Sequence, residues 1–205
     1  MGRYTGPACK LCRREKKKLF LKGEKCYSPK CPVERRPYAP GMHGRLQAKI
    51  SEYAIRLREK QRARHIYGLQ EGQFEREFIS ASRERGVTGD RLIQSLERRL
   101  DNVVFRLGLA TSRPEARQLV RHRHIEVNGR RVNVPSYKVR VGDKITTLQT
   151  PERLLQLAEI FKDRPSPDWL ELNIENREGL VKSLPAAEAV GAPFTPQLIV
   201  EYYSR

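Results

Sequence analysis

The stretch that most restricts the fold runs from Arg98 to Ile145, RRLDNVVFRLGLATSRPEARQLVRHRHIEVNGRRVNVPSYKVRVGDKI. Ser112 followed three residues later by Glu115 forms a capping box, so a helix starts at Arg113, after the Gly108 break, and turns Ala116, Leu119 and Val120 inward. Arg113, Arg117 and Arg121 recur every fourth residue and form one row beside that stripe, placed to meet phosphates while the stripe stays buried. Asn128-Gly129 readily takes the two positive φ angles of a type I′ turn. Flanked by Ile125-Glu-Val127 and Arg131-Val-Asn-Val134, it predicts a hairpin. Tyr137-Lys-Val139-Arg-Val141 then alternates apolar with basic, and Gly142-Asp143 turns the chain into Lys144-Ile145.

From Arg106 to Lys144 ten Lys or Arg face three acidic residues, an imbalance that solubility alone does not require. A compact helix, helix and hairpin module with this charge resembles the RNA-binding module named after small-subunit ribosomal protein four, which also occurs in some pseudouridine synthases and tyrosyl-tRNA synthetases.

The chain has 205 residues, 32% of them charged, and a mean hydropathy of -0.68, which leaves apolar material for one or two modest cores and none for a large catalytic domain. The net charge of +17 calls for a polyanionic partner. Residues 1–50 carry 14 basic and 3 acidic side chains, residues 51–150 carry 21 and 12, and residues 151–205 carry 6 and 9, so the first three quarters should meet the polyanion. With no 18-residue apolar run and no apolar signal region, the expectation is a cytoplasmic protein without membrane contact or small-molecule substrate.

All four cysteines fall between residues 9 and 31, as Cys9-x2-Cys12, thirteen residues, and Cys26-x4-Cys31. Two loops each offering a pair of thiolates can close a tetrahedral shell around one structural zinc ion, which suits a segment too polar for a core of its own. Two disulfides, with three connectivities, free thiols, and an iron-sulfur cluster are the alternatives. Four thiolates leave no open position for water, so the zinc is read as a staple for the cationic run between the two pairs, Arg13, Arg14, Lys16, Lys17, Lys18, Lys22 and Lys25; Arg3, Lys10, Arg13, Arg14, Lys16, Lys17 and Lys22 are expected to meet RNA. In the following Arg35-Arg-Pro-Tyr-Ala-Pro-Gly-Met-His-Gly-Arg45, prolines and glycines exclude regular structure. The reading is an ordered loop along RNA, with Tyr38 stacking, and Arg35, Arg36, His43 and Arg45 meeting the backbone.

A helix is expected from Ser51 as N-cap to Gly68, with sparse apolar positions and Arg56, Arg58, Lys60, Arg62 and Arg64 demanding an anionic partner; Arg56 and Arg62 are assigned to RNA. A second helix, Gly72 to Arg85, carries Phe74, Phe78, Ile79 and Ala81 inward. Asp90 to Leu107 reads as one long helix on the period of Leu92, Leu96, Leu100, Val103, Val104 and Leu107, leaving Arg98 toward solvent or RNA. Arg123 and Lys138 complete the expected RNA-binding set. Pro151 opens a further helix that packs Leu154, Leu155, Leu157 and Phe161, Pro165-Ser-Pro167 interrupts, Trp169–Ile174 and Leu180-Val181 read as strands with Trp169 in the core, and Leu198–Tyr202 is an apolar tail.

The runs YAIRLREKQRARHIYGLQEGQF and LERRLDNVVFRLGLATSRPEARQLVRHRHIEVNGRRVNVPSY, the cysteine cluster, and the ending Val200-Glu-Tyr-Tyr-Ser-Arg205 resemble the zinc-containing form of bacterial small-subunit ribosomal protein four over nearly the whole chain. That resemblance implies an α+β architecture: a zinc-stapled arm and loop at 1–45, a helical domain at 46–97 completed by 186–205, and an inserted module with an antiparallel sheet at 98–185. It implies direct binding of 16S rRNA at a multi-helix junction, nucleation of the 30S body, and a C-terminal border with neighbouring small-subunit proteins that bears on translational accuracy. Two rivals remain. Arg99-Leu100-Asp101 matches the tripeptide bearing the catalytic aspartate of some pseudouridine synthases, and four cysteines with this charge would also suit a zinc-dependent DNA-binding regulator.

Overall fold

The computed structural model describes residues 4–45, 49–160 and 167–204, and the chain divides into two compact units, Met1–Leu92 with Ala192–Arg205, and Ile93–Gly191. The architecture is α+β. Arg3, Phe161 and Pro165 lie outside the described residues.

In the first unit, α1 (Ala8–Glu15) and α2 (Pro32–Arg35) bracket a 3-10 turn at Gly23–Cys26. Among the described residues, Leu19, Leu21 and three of the cysteines, with Gly23 and the Glu15 side chain, make up the small interior of this polar arm. α3 (Glu52–Ile66) starts as its sequence requires: the Ser51 hydroxyl accepts from the Ala54 N–H at 3.2 Å, and Gly68 follows its end at φ 62°. α4 (Glu71–Arg83) buries Phe74, Phe78 and Ala81. Ile79, expected inside, is 41% exposed, because one residue beyond Phe78 the helix has already rotated it off that stripe.

The single helix expected over Asp90–Leu107 is two, α5 (Thr88–Glu97) and α6 (Leu100–Arg106), with Arg99 between them extended at φ −66°, ψ 135°. The apolar period runs across the break and conceals it. The cause lies in the segment around Lys138. The first amides of α6, which any helix leaves without internal acceptors, donate to it: Leu100 N–H to Tyr137 O at 2.8 Å and Asp101 N–H to Pro135 O at 3.2 Å. Val139 N–H returns a bond to Arg98 O at 2.9 Å. Tyr137–Val141, which alternates like a strand, is thus spent on the helix break and forms only an isolated bridge, Arg99 to Lys138.

α7 (Arg113–Arg121) begins at the capping box: the Ser112 hydroxyl accepts from the Glu115 N–H, while the Glu115 carboxylate reaches back one residue further, to the Thr111 N–H at 2.7 Å. β1 (Ile125–Val127) and β2 (Arg130–Arg131) flank Asn128 and Gly129 at φ 51° and 75°, the type I′ turn. β2 is shorter than the expected Arg131–Val134. β3 (Lys144–Thr147), α8 (Pro151–Ile160), β4 (Leu170–Asn173), β5 (Glu178–Val181) and α9 (Ala187–Val190) follow. Among the described residues the strands form one antiparallel sheet in the order β2-β1-β3-β5-β4, with Val127 opposite both Arg130 and Ile145, and Leu170 opposite Val181. Its covered face meets α6 and α7 in a core of Leu100, Val104, Leu109, Val120, Ile125, Ile145 and Trp169. Leu154 and Leu157 of α8 enter that core, whereas Leu155 is exposed.

The expected apolar tail is a helix, α10 (Pro196–Tyr203), and it belongs to the first unit. It lies on α3, stacks Tyr203 on Phe78 at 4.4 Å, and is preceded by Phe194 edge-on to Tyr67 at 6.4 Å.

Candidate nucleic-acid interface

In the arm, α1 and the loop after α2 are joined through Arg13. Its guanidinium donates to the carbonyls of Arg36 at 3.2 Å, Tyr38 at 3.0 Å and Ala39 at 3.4 Å, and lies 4.9 Å over the Tyr38 ring. Arg45 also lies 4.9 Å over that ring, and its hydrogen bond pulls the Tyr38 hydroxyl below its usual pKa. Arg13 therefore builds the loop, and Tyr38 is half-buried between side chains of its own chain. Lys18 is spent on Glu34 at 2.5 Å. Lys10, Arg14, Lys16, Lys17, Lys22, Arg35 and Arg36 are exposed, as are His43 and Arg45. Among the described residues no carboxylate stands within ion-pair distance of Lys10, Arg14, Lys16, Lys17, Lys22, Arg35 or Arg36. Lys25 of the same run is exposed in the same way, as is Lys30, which the sequence reading did not single out.

The cysteines are free thiols. Cys12, Cys26 and Cys31 are buried, and Cys9 is half-buried. Burial, with the neighbouring thiols adding to it, pushes the Cys12 thiol up to about 11 and the Cys26 thiol upward, although each accepts a backbone hydrogen bond, from Leu19 and from Lys22 at 3.4 Å respectively. Among the described residues no group of three or more His, Cys, Asp or Glu stands at metal-holding spacing.

The crowded cations of α3 find their anionic partners inside the first unit. Arg56 pairs with Glu201 at 2.6 Å and Glu52 at 3.1 Å, Lys60 with Glu71 at 2.5 Å, Arg64 with Glu71 at 3.3 Å, and Arg62 with Glu59. Lys60 also lies 4.4 Å over the Tyr202 ring. Arg62, expected on RNA, is only 8% exposed, and the second oxygen of its partner Glu59 accepts the Thr195 N–H at 3.0 Å. These cations tie α3 to the first residue of α4 and, through Arg56 and Lys60, to the C-terminal segment, because a buried cation needs a carboxylate close by and the chain supplies one.

In the second unit a similar network organises α5, α6 and α7. Asp101 receives Arg99 at 3.2 and 3.0 Å and Arg117 at 3.1 Å, while Asn102 donates to Glu97 at 2.8 Å and accepts from Arg113 at 2.8 Å. Arg113 also lies 4.4 Å over the Phe105 ring, and Arg98 donates to the Val139 carbonyl at 3.0 Å. The predicted row thus divides: Arg113 and Arg117 are half-buried along the amide and carboxylate edge of α6, and Arg121 is exposed. Asp101 is 5% exposed and its carboxylate is taken up by two guanidiniums, the surroundings of a structural anion. Lys138 is half-buried at the helix break. Beyond α7, the exposed groups are Arg121, Arg123 at φ 62°, and, missed by the sequence reading, Arg130, Arg131, Arg140 and Lys144. Arg131 reaches Glu126 at 3.3 Å; Arg121, Arg123, Arg130, Arg140 and Lys144 have no carboxylate within ion-pair distance among the described residues. The signal that could have found Arg130 and Arg131 is their position at the end of the Asn128-Gly129 turn, on the edge strand of the sheet.

Each unit thus consumes its interior carboxylates and shows exposed, unpaired cations outside, a distribution suited to polyphosphate. Comparison with known proteins agrees. A family profile described as "Ribosomal protein S4/S9 N-terminal domain" matches residues 3–97, and one described as "S4 domain" matches residues 98–145. The small ribosomal subunit protein uS4 of Dictyoglomus thermophilum is 59% identical over 206 residues, that of Pelotomaculum thermopropionicum 55% over 208, and that of Thermus thermophilus 54% over 209, each alignment covering 100% of both chains. Matched in both units and aligned from end to end, the chain belongs to the uS4 family of small ribosomal subunit proteins.

Proposed function

We propose that this chain is a structural protein of the small ribosomal subunit in the cytoplasm, that it binds 16S rRNA directly where several RNA helices converge, and that it nucleates assembly of the 30S body. The observation that carries this reading is the exposed, carboxylate-free cationic set of the arm (Lys10, Arg14, Lys16, Lys17, Lys22) and of the hairpin unit (Arg121, Arg123, Arg130). Each such cation placed on a phosphate releases counterions, which supplies affinity, and rigid spacing of many of them selects one RNA shape over others. Interior pairs such as Arg62–Glu59 and Arg117–Asp101 contribute by keeping that spacing fixed. No catalytic step is assigned to any side chain.

One zinc ion belongs to this reading, held by Cys9, Cys12, Cys26 and Cys31. The chemistry of the donors supports it, although among the described residues they do not stand at metal-holding spacing: four unoxidised thiols, three of them buried and mutually destabilising as thiolates, a repulsion that a divalent cation relieves. Bound there it supplies a structural cross-link. The net acidic residues 151–205, with Leu155, Ile174 and Leu184 exposed, are assigned to neighbouring small-subunit proteins and through them to translational accuracy. The test is hydroxyl-radical footprinting on small-subunit rRNA with metal-loaded and metal-stripped protein. A compact footprint at one junction, losing only the arm's share on stripping, is expected; equal protection of any RNA would overturn the reading.

A further inference from the structure

Glu15 ends α1, where the helix macrodipole is already negative and a carboxylate is locally out of place. Its side chain is nonetheless fully buried, and its Oε2 has no hydrogen-bond partner. Oε1 accepts from Arg58 Nη1 at 3.4 Å and lies 3.5 Å from His65 Nδ1, itself without a hydrogen-bond partner. Arg58 and His65 stand two turns apart on one face of α3. Both polar links described between α1 and α3 end on this carboxylate. A buried, half-satisfied carboxylate is stable only against a cation, so its place in the sequence answers to α3 and to nothing in α1.

We propose that Glu15 is a positioning residue for RNA binding: through Arg58 and His65 it holds the cysteine arm on α3 and fixes where the arm's exposed lysines and arginines meet phosphate. The cysteines and the Lys18–Glu34 pair shape the arm within itself; Arg13, two residues before Glu15, shapes the following loop. Among the described residues, the polar links that refer that shaped surface to α3 are those of Glu15. The inference rests on the RNA-binding reading above.

The experiment uses the full chain and its Glu15→Gln and Arg58→Gln variants, each with its zinc content measured. Hydrogen exchange of residues 8–36 is followed without RNA, and affinity for a small-subunit rRNA junction fragment is followed across a salt series. Each variant should raise arm exchange while leaving α3, α10 and zinc content unchanged. It should also weaken RNA binding about tenfold at moderate salt, with a shallower slope of log affinity against log salt, since mispositioned cations release fewer counterions. A structural loss elsewhere would lower affinity and leave that slope alone. Unchanged arm exchange in both variants would overturn the latch, and raised exchange with unchanged affinity and slope would overturn its role in positioning. If the unsubstituted chain itself failed to bind the junction, the RNA reading would fall with the positioning role, while the exchange data still decide whether Glu15 docks the arm. Should Glu15→Gln not fold, Arg58→Gln, which leaves α1 untouched, carries the same readouts.

Discussion

Glu97, the last residue of α5, accepts from Nε and Nη2 of Arg106, the last residue of α6, at 2.9 Å each, so the two helices separated at Arg99 are tied together at their C-terminal ends. The same carboxylate accepts from Asn102, and it is fully buried. Removing the charge by Glu97→Gln leaves a guanidinium half-unpaired beside the core. We expect a loss of about 3 kcal/mol, read as a lower urea midpoint of unfolding with little change in slope. A loss within experimental scatter would show the pair to be replaceable by solvent.

The hairpin turn carries a second load. Asn128 takes φ 51°, its amide donates to Asp143 at 2.9 Å, and its side-chain oxygen accepts the Lys144 N–H at 2.9 Å. Asn128→Ala forfeits both bonds and a residue type tolerant of the left-handed region. The expected cost is about 1–3 kcal/mol, seen as a fall of several degrees in the thermal midpoint.

Exposed and buried arginines should separate cleanly in binding assays. Replacing Arg123 and Arg130 together by Ala removes two unpaired surface cations; the salt dependence of rRNA binding should lose about 0.7–0.9 per phosphate contact forgone, with stability changed by about 0.5 kcal/mol or less. Arg62→Ala should do the reverse, lowering stability by about 3 kcal/mol through the orphaned Glu59 while leaving the salt slope intact. Equal slopes for the two variants would contradict the division of roles.

Zinc is checked by elemental analysis of protein purified without chelator. One equivalent per chain is expected, abolished by Cys12→Ala together with Cys9→Ala, and accompanied by faster exchange over residues 8–36. Metal-free protein with a protected arm would remove the staple from the account.

Much of this fold can be read in the residues because its signals are local. Ser51, the Ser112–Glu115 box and Asn128-Gly129 each specify their element through bonds or dihedrals that need only a few neighbouring residues, and Trp169 with Leu170–Asn173 reads as a half-buried strand. The break at Arg98–Arg99 was not legible, because Leu96 and Leu100 keep helical spacing across it and the deciding partners lie some forty residues away at Pro135–Val139. Charge told a similar half-truth. The demand of α3 for anions was plain from Arg56 to Arg64, but composition cannot say whether a phosphate or Glu201 answers it, and here the chain's own carboxylates do. Likewise Arg113 and Arg117 form the row foreseen, and only the placement of Asp101 and Asn102 beneath them turns two of its three members inward.

The position of α10 has a consequence for biogenesis. Lys60 and Glu71 meet Tyr202 and Tyr203 within one unit although that unit's chain is interrupted by Ile93–Gly191. During vectorial synthesis the N-terminal helices therefore emerge with their packing surface vacant, and they must wait until translation has delivered the last helix, by which time the intervening unit has all its residues and can mature first.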